Sequence, residues 1–204
     1  MMRLYWSPAS PFARLAWVAC LEAGQEDKVE RVSVMGHPTD IGNLPINQNP
    51  IGKIPALERY DGPSLYDSRV ICQYFDEISG GKLYPTGPRR FDALTLEATA
   101  HGMLDAGVLR VYEHRSRPEA YQWEGWREAQ WDKVARGFDA LEERWMGVLN
   151  GPVTMGSLAV AITCDWMDFR HNDKDWRTGH AQLATWHEKM KLRGTLRDTM
   201  PVAA

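Results

Sequence analysis

The first eighty residues contain stretches in which apolar and polar residues alternate, separated by stretches in which apolar residues recur at helical spacing. Residues 3–6 predict a strand, and residues 29–35 predict a second. Between them, apolar residues recur at i, i+3, i+4, i+7, i+8 and i+11 from Phe12. This spacing predicts a helix with Ser10 as its N-cap and Pro11 in its first position. The order strand, helix, strand favours a right-handed crossover that joins a parallel pair.

The next pattern predicts a hairpin followed by a second helix. Residues 54–57 are apolar and predict a third strand, which Asp61-Gly62 would connect to a fourth strand at residues 64–66. The following helix is predicted to begin at Asp67-Ser68 and to bury one apolar face as far as residue 78. The first part of the chain is therefore predicted to be a small sheet with two helices.

Beyond residue 88 the pattern predicts helices and no strand. Long stretches keep apolar residues at helical spacing, over residues 89–113, 119–149, 157–169 and 178–192. In the longest stretch Trp131 and Trp145 hold this spacing, so we interpret them as core residues.

The fold class predicted from these elements is an α/β domain followed by an all-α helical bundle. The predicted boundaries are residues 1–80 for the first domain, 81–87 for a linker rich in Pro and Gly, and 88–204 for the second. A chain of 204 residues can bury a core in each.

Charge and composition narrow the classes of function. Residues 1–80 carry 7 Lys and Arg against 10 Asp and Glu, and the net charge of the chain is -3, which argues against a nucleic-acid footprint. No long apolar run and no signal-peptide pattern is present, so we expect a cytoplasmic protein without a membrane segment. Cys20, Cys72 and Cys164 are far apart, which predicts reduced, buried thiols and no metal site.

Pro55 follows Ile54 at the start of an apolar stretch, where proline is tolerated only at a strand's first position, at an edge or at a bulge. The backbone N–H and C=O of Ile54 would then be free to bind an extended peptide by strand addition. The alternative is an ordinary proline between a loop and a strand.

Three motifs, in order, resemble the cytosolic glutathione transferase superfamily and its serine-type, bacterial-like members. Residues 8–14 resemble the loop that carries the active-site serine, residues 49–57 the segment with a cis-proline, and residues 66–71 the acidic-Ser motif that binds the γ-glutamyl group. The resemblance continues over residues 101–117 and 151–169. It implies a thioredoxin-like first domain, with glutathione as co-substrate and no metal.

The resemblance implies that Ser10 stabilises the glutathione thiolate, although on local grounds Ser10 could be a helix cap alone. Ser7 and Tyr5 are the competing candidates, since members of other classes use a tyrosine near the end of this strand. Trp6, which can neither ionise nor accept a hydrogen bond, occupies the nearest equivalent position.

The resemblance also implies the other contacts. A cis bond before Pro55 and backbone hydrogen bonds from Ile54 would hold the cysteinyl unit, and Asp67, where glutamate is commoner, would take the ammonium. The implied glutathione contacts are Lys53, Ile54, Pro55, Asp67, Ser68, His37 and, from a partner subunit, Asp105. The implied electrophile pocket consists of Phe12, Leu104, Val108 and Tyr112, although the last three could equally be core. His101 and Asp105 are one turn apart, which predicts a simple pair on the helix surface.

The implied activity is transfer of glutathione to a small hydrophobic electrophile, as in detoxification. Alternatives are a non-catalytic binding or regulatory protein, or a glutathione-dependent isomerase, dehalogenase or peroxidase. A homodimer is implied as well.

The chain departs from the family pattern at the helix expected near residue 157. There Val160 replaces the acid of a Ser/Thr-x-x-Asp capping box that Ser157 would begin. We expect Val160→Asp to restore that box.

Overall fold

The computed structural model describes residues 1–203, and their packing forms two compact units. The first comprises Met1–Pro85 together with the chain from Thr199 onward, and the second comprises Thr86–Asp198. The tail after Thr199 therefore groups with the first unit, whereas the sequence placed it with the helices. Arg14 is the residue that holds it there, because its Nε donates a hydrogen bond to Thr199 Oγ1 at 3.2 Å.

The sheet of the first unit has the strand order β2-β1-β3, with β1 (Met2–Trp6) in the middle. β1 is parallel to β2 (Val29–Ser33) and antiparallel to β3 (Ala56–Glu58), so the predicted parallel crossover is confirmed. The prediction of a strand at residues 64–66 is wrong. This segment forms only one bridge, in which Leu57 and Leu65 exchange two backbone hydrogen bonds of 2.9 Å.

The two helices of the first unit begin where the sequence predicted. α1 (Pro11–Glu22) starts after Ser10, and α2 (Ser68–Ile78) starts after Asp67. α1 packs against α2. The carboxylate of Asp76, which is buried, accepts hydrogen bonds from three consecutive backbone amides, those of Lys82, Leu83 and Tyr84. These bonds hold the chain as it leaves α2.

The second unit is helical. Its helices are α3 (Arg89–Arg115), α4 (Glu124–Ala140), α5 (Met146–Leu149), α6 (Met155–Arg170), α7 (Ala181–Met190) and α8 (Gly194–Arg197). The predicted helix at 119–149 is divided, because residues 119–121 form a 3₁₀ turn and Leu141–Trp145 a π-helical turn. The predicted fold class, a small α/β domain with a mixed sheet followed by an all-α part, is confirmed.

α6 is the central helix of the second unit and is buried from Met155 to Met167. It packs closely on α3, because Gly156 has no side chain that would collide with the carbonyl oxygen of Ala93. Val160 is fully buried. Trp166, Trp176 and Trp186 are buried core residues, whereas Trp131 and Trp145 of the predicted core face are only half-buried.

The start of α6 corrects the expected capping box. Thr154 is the N-cap, and its side chain accepts a hydrogen bond from the Ser157 amide at 3.3 Å. The Ser157 hydroxyl accepts one from the Thr154 amide at 2.8 Å, so the box is complete one turn earlier than expected. Val160 takes no part in it, and the expectation that an acid at this position would restore a cap is wrong.

No helix within residues 1–203 is long and apolar enough to cross a membrane. Within the same residues, no group of three or more His, Cys, Asp or Glu side chains lies close enough together to hold a metal ion.

Candidate functional site

The register of the sheet brings the three sequence motifs to one end of the first unit. Tyr5 pairs with Ala56, so Pro55 lies beside the end of β1, just before the loop that leads to Ser10. The bridge between Leu57 and Leu65 then returns the chain in the opposite direction, and Asp67 comes to the same end.

Ser10 lies in an extended conformation immediately before α1, and its side chain is half-buried. Its Oγ accepts a hydrogen bond from the Ala13 amide at 3.2 Å, which makes it the cap of α1. Its amide donates to the Ser7 carbonyl at 3.0 Å and closes the preceding turn. Capping uses a lone pair of Oγ, and among the described residues no acceptor takes the hydroxyl hydrogen. Ser10 can therefore cap the helix and donate to a ligand at once.

Tyr5, one of the two competing candidates, and its neighbour Trp6 both contact other side chains. The Tyr5 hydroxyl donates to the Glu58 carboxylate at 2.9 Å. Partial burial and this hydrogen bond raise the pKa of Tyr5. The Trp6 ring centroid lies 4.5 Å from the Arg31 guanidinium, which is also 4.5 Å from the Trp17 ring centroid. The Tyr5 hydroxyl is therefore already used as a donor, unlike that of Ser10.

The segment before β3 presents unpaired backbone. The Ile54–Pro55 bond is cis, as the resemblance implied, and β3 begins at Ala56, two residues later than predicted. Neither the N–H nor the C=O of Ile54 has a hydrogen-bond partner among the described residues. Asn49, which the sequence reasoning missed, supports this segment. It is buried, donates to the Lys53 carbonyl at 2.8 Å and accepts from the Ile51 amide at 3.1 Å.

Asp67 and Ser68 lie at the start of α2. Asp67 Oδ1 accepts from the Arg69 amide at 3.0 Å and is the N-cap, and Oδ2 contacts Arg69 Nη2 at 2.8 Å. Both side chains of this ion pair are about half exposed, at 50% and 52%, so it adds little to stability. Ser68 is fully buried. The sequence reasoning did not identify Arg69 as the partner of Asp67. An acid two residues before an arginine at a helix start is the signal that could have indicated this pair.

The remaining candidates of the first unit are more exposed. Lys53 is exposed, and its ammonium has no ion-pair partner among the described residues. His37 is exposed too, with its ring Nδ1 3.1 Å from Thr39 Oγ1. Phe12 is half-buried in the first turn of α1.

The candidates on α3 separate into surface and core, and two expectations need correction. Asp105 is exposed and Val108 and Tyr112 are half-buried, but Leu104 is fully buried and so cannot line an open pocket. His101 is buried and its ring Nδ1 lies 2.9 Å from the Glu97 carbonyl, so the predicted surface pair with Asp105 is wrong. α3 packs against both α4 and α6, so more of its surface is covered than a single apolar face.

The cysteines can supply no reactive thiol. Cys20, Cys72 and Cys164 are buried, as predicted, and none of the three forms a disulfide. Burial raises the pKa of the Cys20 thiol to about 12, and that of Cys164 is also raised by burial. A thiol reaction at this site would have to use the thiol of a bound ligand.

Comparison with protein families matches both parts of the chain. Residues 4–83 match the family model described as glutathione S-transferase, N-terminal domain. Residues 124–189 match the model described as glutathione S-transferase, C-terminal domain.

Individual proteins match over the full length. A glutathione transferase family member from Pseudomonas fluorescens Pf-5, solved with bound glutathione, is 36% identical with a TM-score of 0.96, and the match covers 100% of both chains. A glutathione S-transferase from Methylobacillus flagellatus KT, also with glutathione bound, is 33% identical with a TM-score of 0.87, over 99% of this chain and 100% of that one. The uncharacterised GST-like protein YibF of Escherichia coli K12 is 29% identical over 100% of both chains.

Proposed function

Because the chain belongs to the glutathione S-transferase family, we propose that it binds glutathione through its first unit and activates the thiol for attack on a small hydrophobic electrophile. The observation that carries this proposal is Ser10, whose hydroxyl caps α1 and still has a hydrogen to donate. A thiolate beside it would receive that hydrogen bond and would face the positive end of the α1 dipole.

The glutathione backbone has matching partners in the same unit. The N–H and C=O of Ile54, which have no hydrogen-bond partner within residues 1–203, suit two antiparallel hydrogen bonds to the cysteinyl unit. The start of α2 suits a carboxylate, so we assign the γ-glutamyl carboxylate to Ser68 and the ammonium to Asp67. Lys53 and His37 are assigned to the glycyl end. The glutathione bound in the Pseudomonas fluorescens and Methylobacillus flagellatus relatives supports glutathione as the ligand.

An activity screen with glutathione present and absent tests the proposal. Calorimetric titration should show saturable binding of glutathione, and of S-methylglutathione as a control whose thiol is blocked. Conjugation, isomerisation and peroxide reduction are then assayed with several unrelated electrophiles and peroxides, and only free glutathione should support turnover. Binding without turnover in any assay would instead favour a non-catalytic glutathione-binding protein. No binding at all would contradict both.

We also propose a homodimer, in which Asp105 would reach the γ-glutamyl group bound to the partner. Apolar side chains stay exposed on two helices, Val70 at 44% and Ile78 at 42% on α2, and Phe91 at 70% on α3. We expect sedimentation equilibrium at micromolar protein to give about twice the chain mass of 23.2 kDa. A mass equal to that of one chain would contradict the dimer and would remove the reason to assign Asp105.

A further inference from the structure

The second unit contains an open cleft that the proposed glutathione chemistry does not use. It has a volume of about 150 Å³ and is lined by Glu113, Arg117, Tyr121, Trp123 and Trp126. We call it the aromatic cleft. A cavity of about 150 Å³ is large enough for one benzene ring. The size is therefore sufficient for a ligand with a single aromatic ring.

The aromatic side chains project from an ordered loop. Gln122, at its centre, donates to the carbonyls of His114 and Arg117 at 2.9 and 3.0 Å, and its Oε1 lies 2.9 Å from the His114 ring. The Trp123 amide donates to the buried Glu113 carboxylate at 3.0 Å. The Trp123 indole lies over Gly125, where a Cβ would be 2.9 Å from Nε1. The loop is thus fixed by its own hydrogen bonds, and the Trp123 ring lies against its backbone.

These rings are more exposed than large aromatic side chains usually are. Tyr121 is 72% exposed and Trp123 is 66% exposed, while Trp126 is half-buried. Large aromatic rings release considerable free energy when water is removed from them. An exposed pair on a fixed loop is therefore well suited to stack on a planar ligand.

The polar groups of the aromatic cleft are mainly donors without acceptors. Both oxygens of Glu113 are already used, one by the Trp123 amide and one by Arg117 Nε at 2.8 Å. Among the described residues, no acceptor is bonded to the terminal nitrogens of Arg117, to the indole N–H groups of Trp123 and Trp126, or to the Tyr121 hydroxyl. A guanidinium with free N–H groups binds a carboxylate in a planar, two-point arrangement.

We propose that the aromatic cleft binds a single-ring aromatic carboxylate, with the ring against Tyr121 and Trp123 and the carboxylate on Arg117. The Nε of Arg117 keeps its bond to Glu113, which holds the guanidinium in position, and the two terminal nitrogens face the ligand's carboxylate. This site does not depend on glutathione or on Ser10.

Benzoate is the probe, titrated into the full-length protein by calorimetry and followed by tryptophan fluorescence in the absence of glutathione. We expect saturable binding that Arg117→Gln weakens on the order of 10- to 100-fold, the loss expected for charge-assisted hydrogen bonds. Trp123→Leu should weaken it by about 2- to 12-fold through lost stacking. Benzyl alcohol, with the same ring and no charge, should bind more weakly and be insensitive to Arg117→Gln.

Arg115→Gln is the matched control, because Arg115 is exposed on the last turn of α3 but does not line the cleft. It should leave benzoate binding unchanged. If Arg117→Gln does not fold, Arg117→Lys keeps a charge beside Glu113 without the planar donor pair, and it should also weaken binding. The proposal is overturned if benzoate does not saturate, if the Arg115 and Arg117 variants behave alike, or if benzyl alcohol binds as well as benzoate.

Discussion

Replacing Ser10 by alanine is expected to leave glutathione affinity nearly unchanged and to lower kcat on the order of 10- to 10³-fold, as for the loss of one oxyanion donor. A free cysteine-type thiol has a pKa of about 8.5, so only a few per cent of it is thiolate at neutral pH. The helix dipole supplies about 0.3 to 1 kcal/mol, less than one pKa unit. A hydrogen bond to a charged group supplies about 1.5 to 3 kcal/mol, or one to two units, so the hydroxyl should dominate.

The thiolate absorbance of the glutathione complex is measured as a function of pH. The bound thiol should titrate at higher pH in Ser10→Ala than in the parent. Because Ser10 also caps α1, a second variant must separate the two roles. Ser10→Gly removes the hydroxyl but costs only a few tenths of a kcal/mol as a cap, whereas alanine costs about 1 kcal/mol. If the hydroxyl acts on the thiol, Gly and Ala lose the same activity, and Ser10→Thr retains most of it.

Two other outcomes would contradict the assignment. A parental titration curve in Ser10→Ala, with a shifted curve in Ser7→Ala, would transfer the role to Ser7. Parental curves in both would mean that the amides at the start of α1 stabilise the thiolate and that Ser10 is only a cap.

Val160→Asp is expected to destabilise the protein by about 3 to 5 kcal/mol, or to prevent folding, because it leaves an uncompensated charge in the core. Val160 is fully buried in α6, away from the cap formed by Thr154 and Ser157. Chemical denaturation at neutral pH measures the loss. Burial should raise the carboxyl pKa of the introduced aspartate above its unfolded value of about 3.9. The folded variant then binds more protons than the unfolded one, so the destabilisation should diminish as the pH falls.

Val160→Thr is the control of the same shape, and burial of its uncharged hydroxyl should cost about 1 to 3 kcal/mol without this pH dependence. Thr154→Ala, which removes the observed cap, should cost about 0.5 to 2 kcal/mol. Higher stability of Val160→Asp than of the parent would mean that the capping box lies at 157–160 after all.

Local signals in the sequence determined where the two helices of the first unit begin. Ser10 followed by Pro11 predicted the start of α1, and Asp67 that of α2, because the hydrogen bonds that begin a helix join residues within one turn. Alternation and helical spacing predicted the mixed sheet and the helical second part. The order of the three motifs was enough to indicate the family.

Which residues are buried, and which residue caps α6, depended on tertiary packing. Leu104 and Val108 share one face of α3 in the sequence, yet the first is core and the second half-buried. Thr154 and Ser157 could each have capped α6, and the burial of Val160 in the core decides for Thr154. The predicted fourth strand is only a bridge at Leu65.

The aromatic cleft could not be predicted from the sequence either, because tryptophans at helical spacing indicate a core as readily as a binding surface. Helix starts are governed by bonds between residues a few positions apart, and these can be read from the chain. Burial is set by residues far away in the sequence. The apolar pattern shows that a helix face is covered, but it does not show whether another helix or a ligand covers it. Only the tertiary structure therefore separated core residues from site residues.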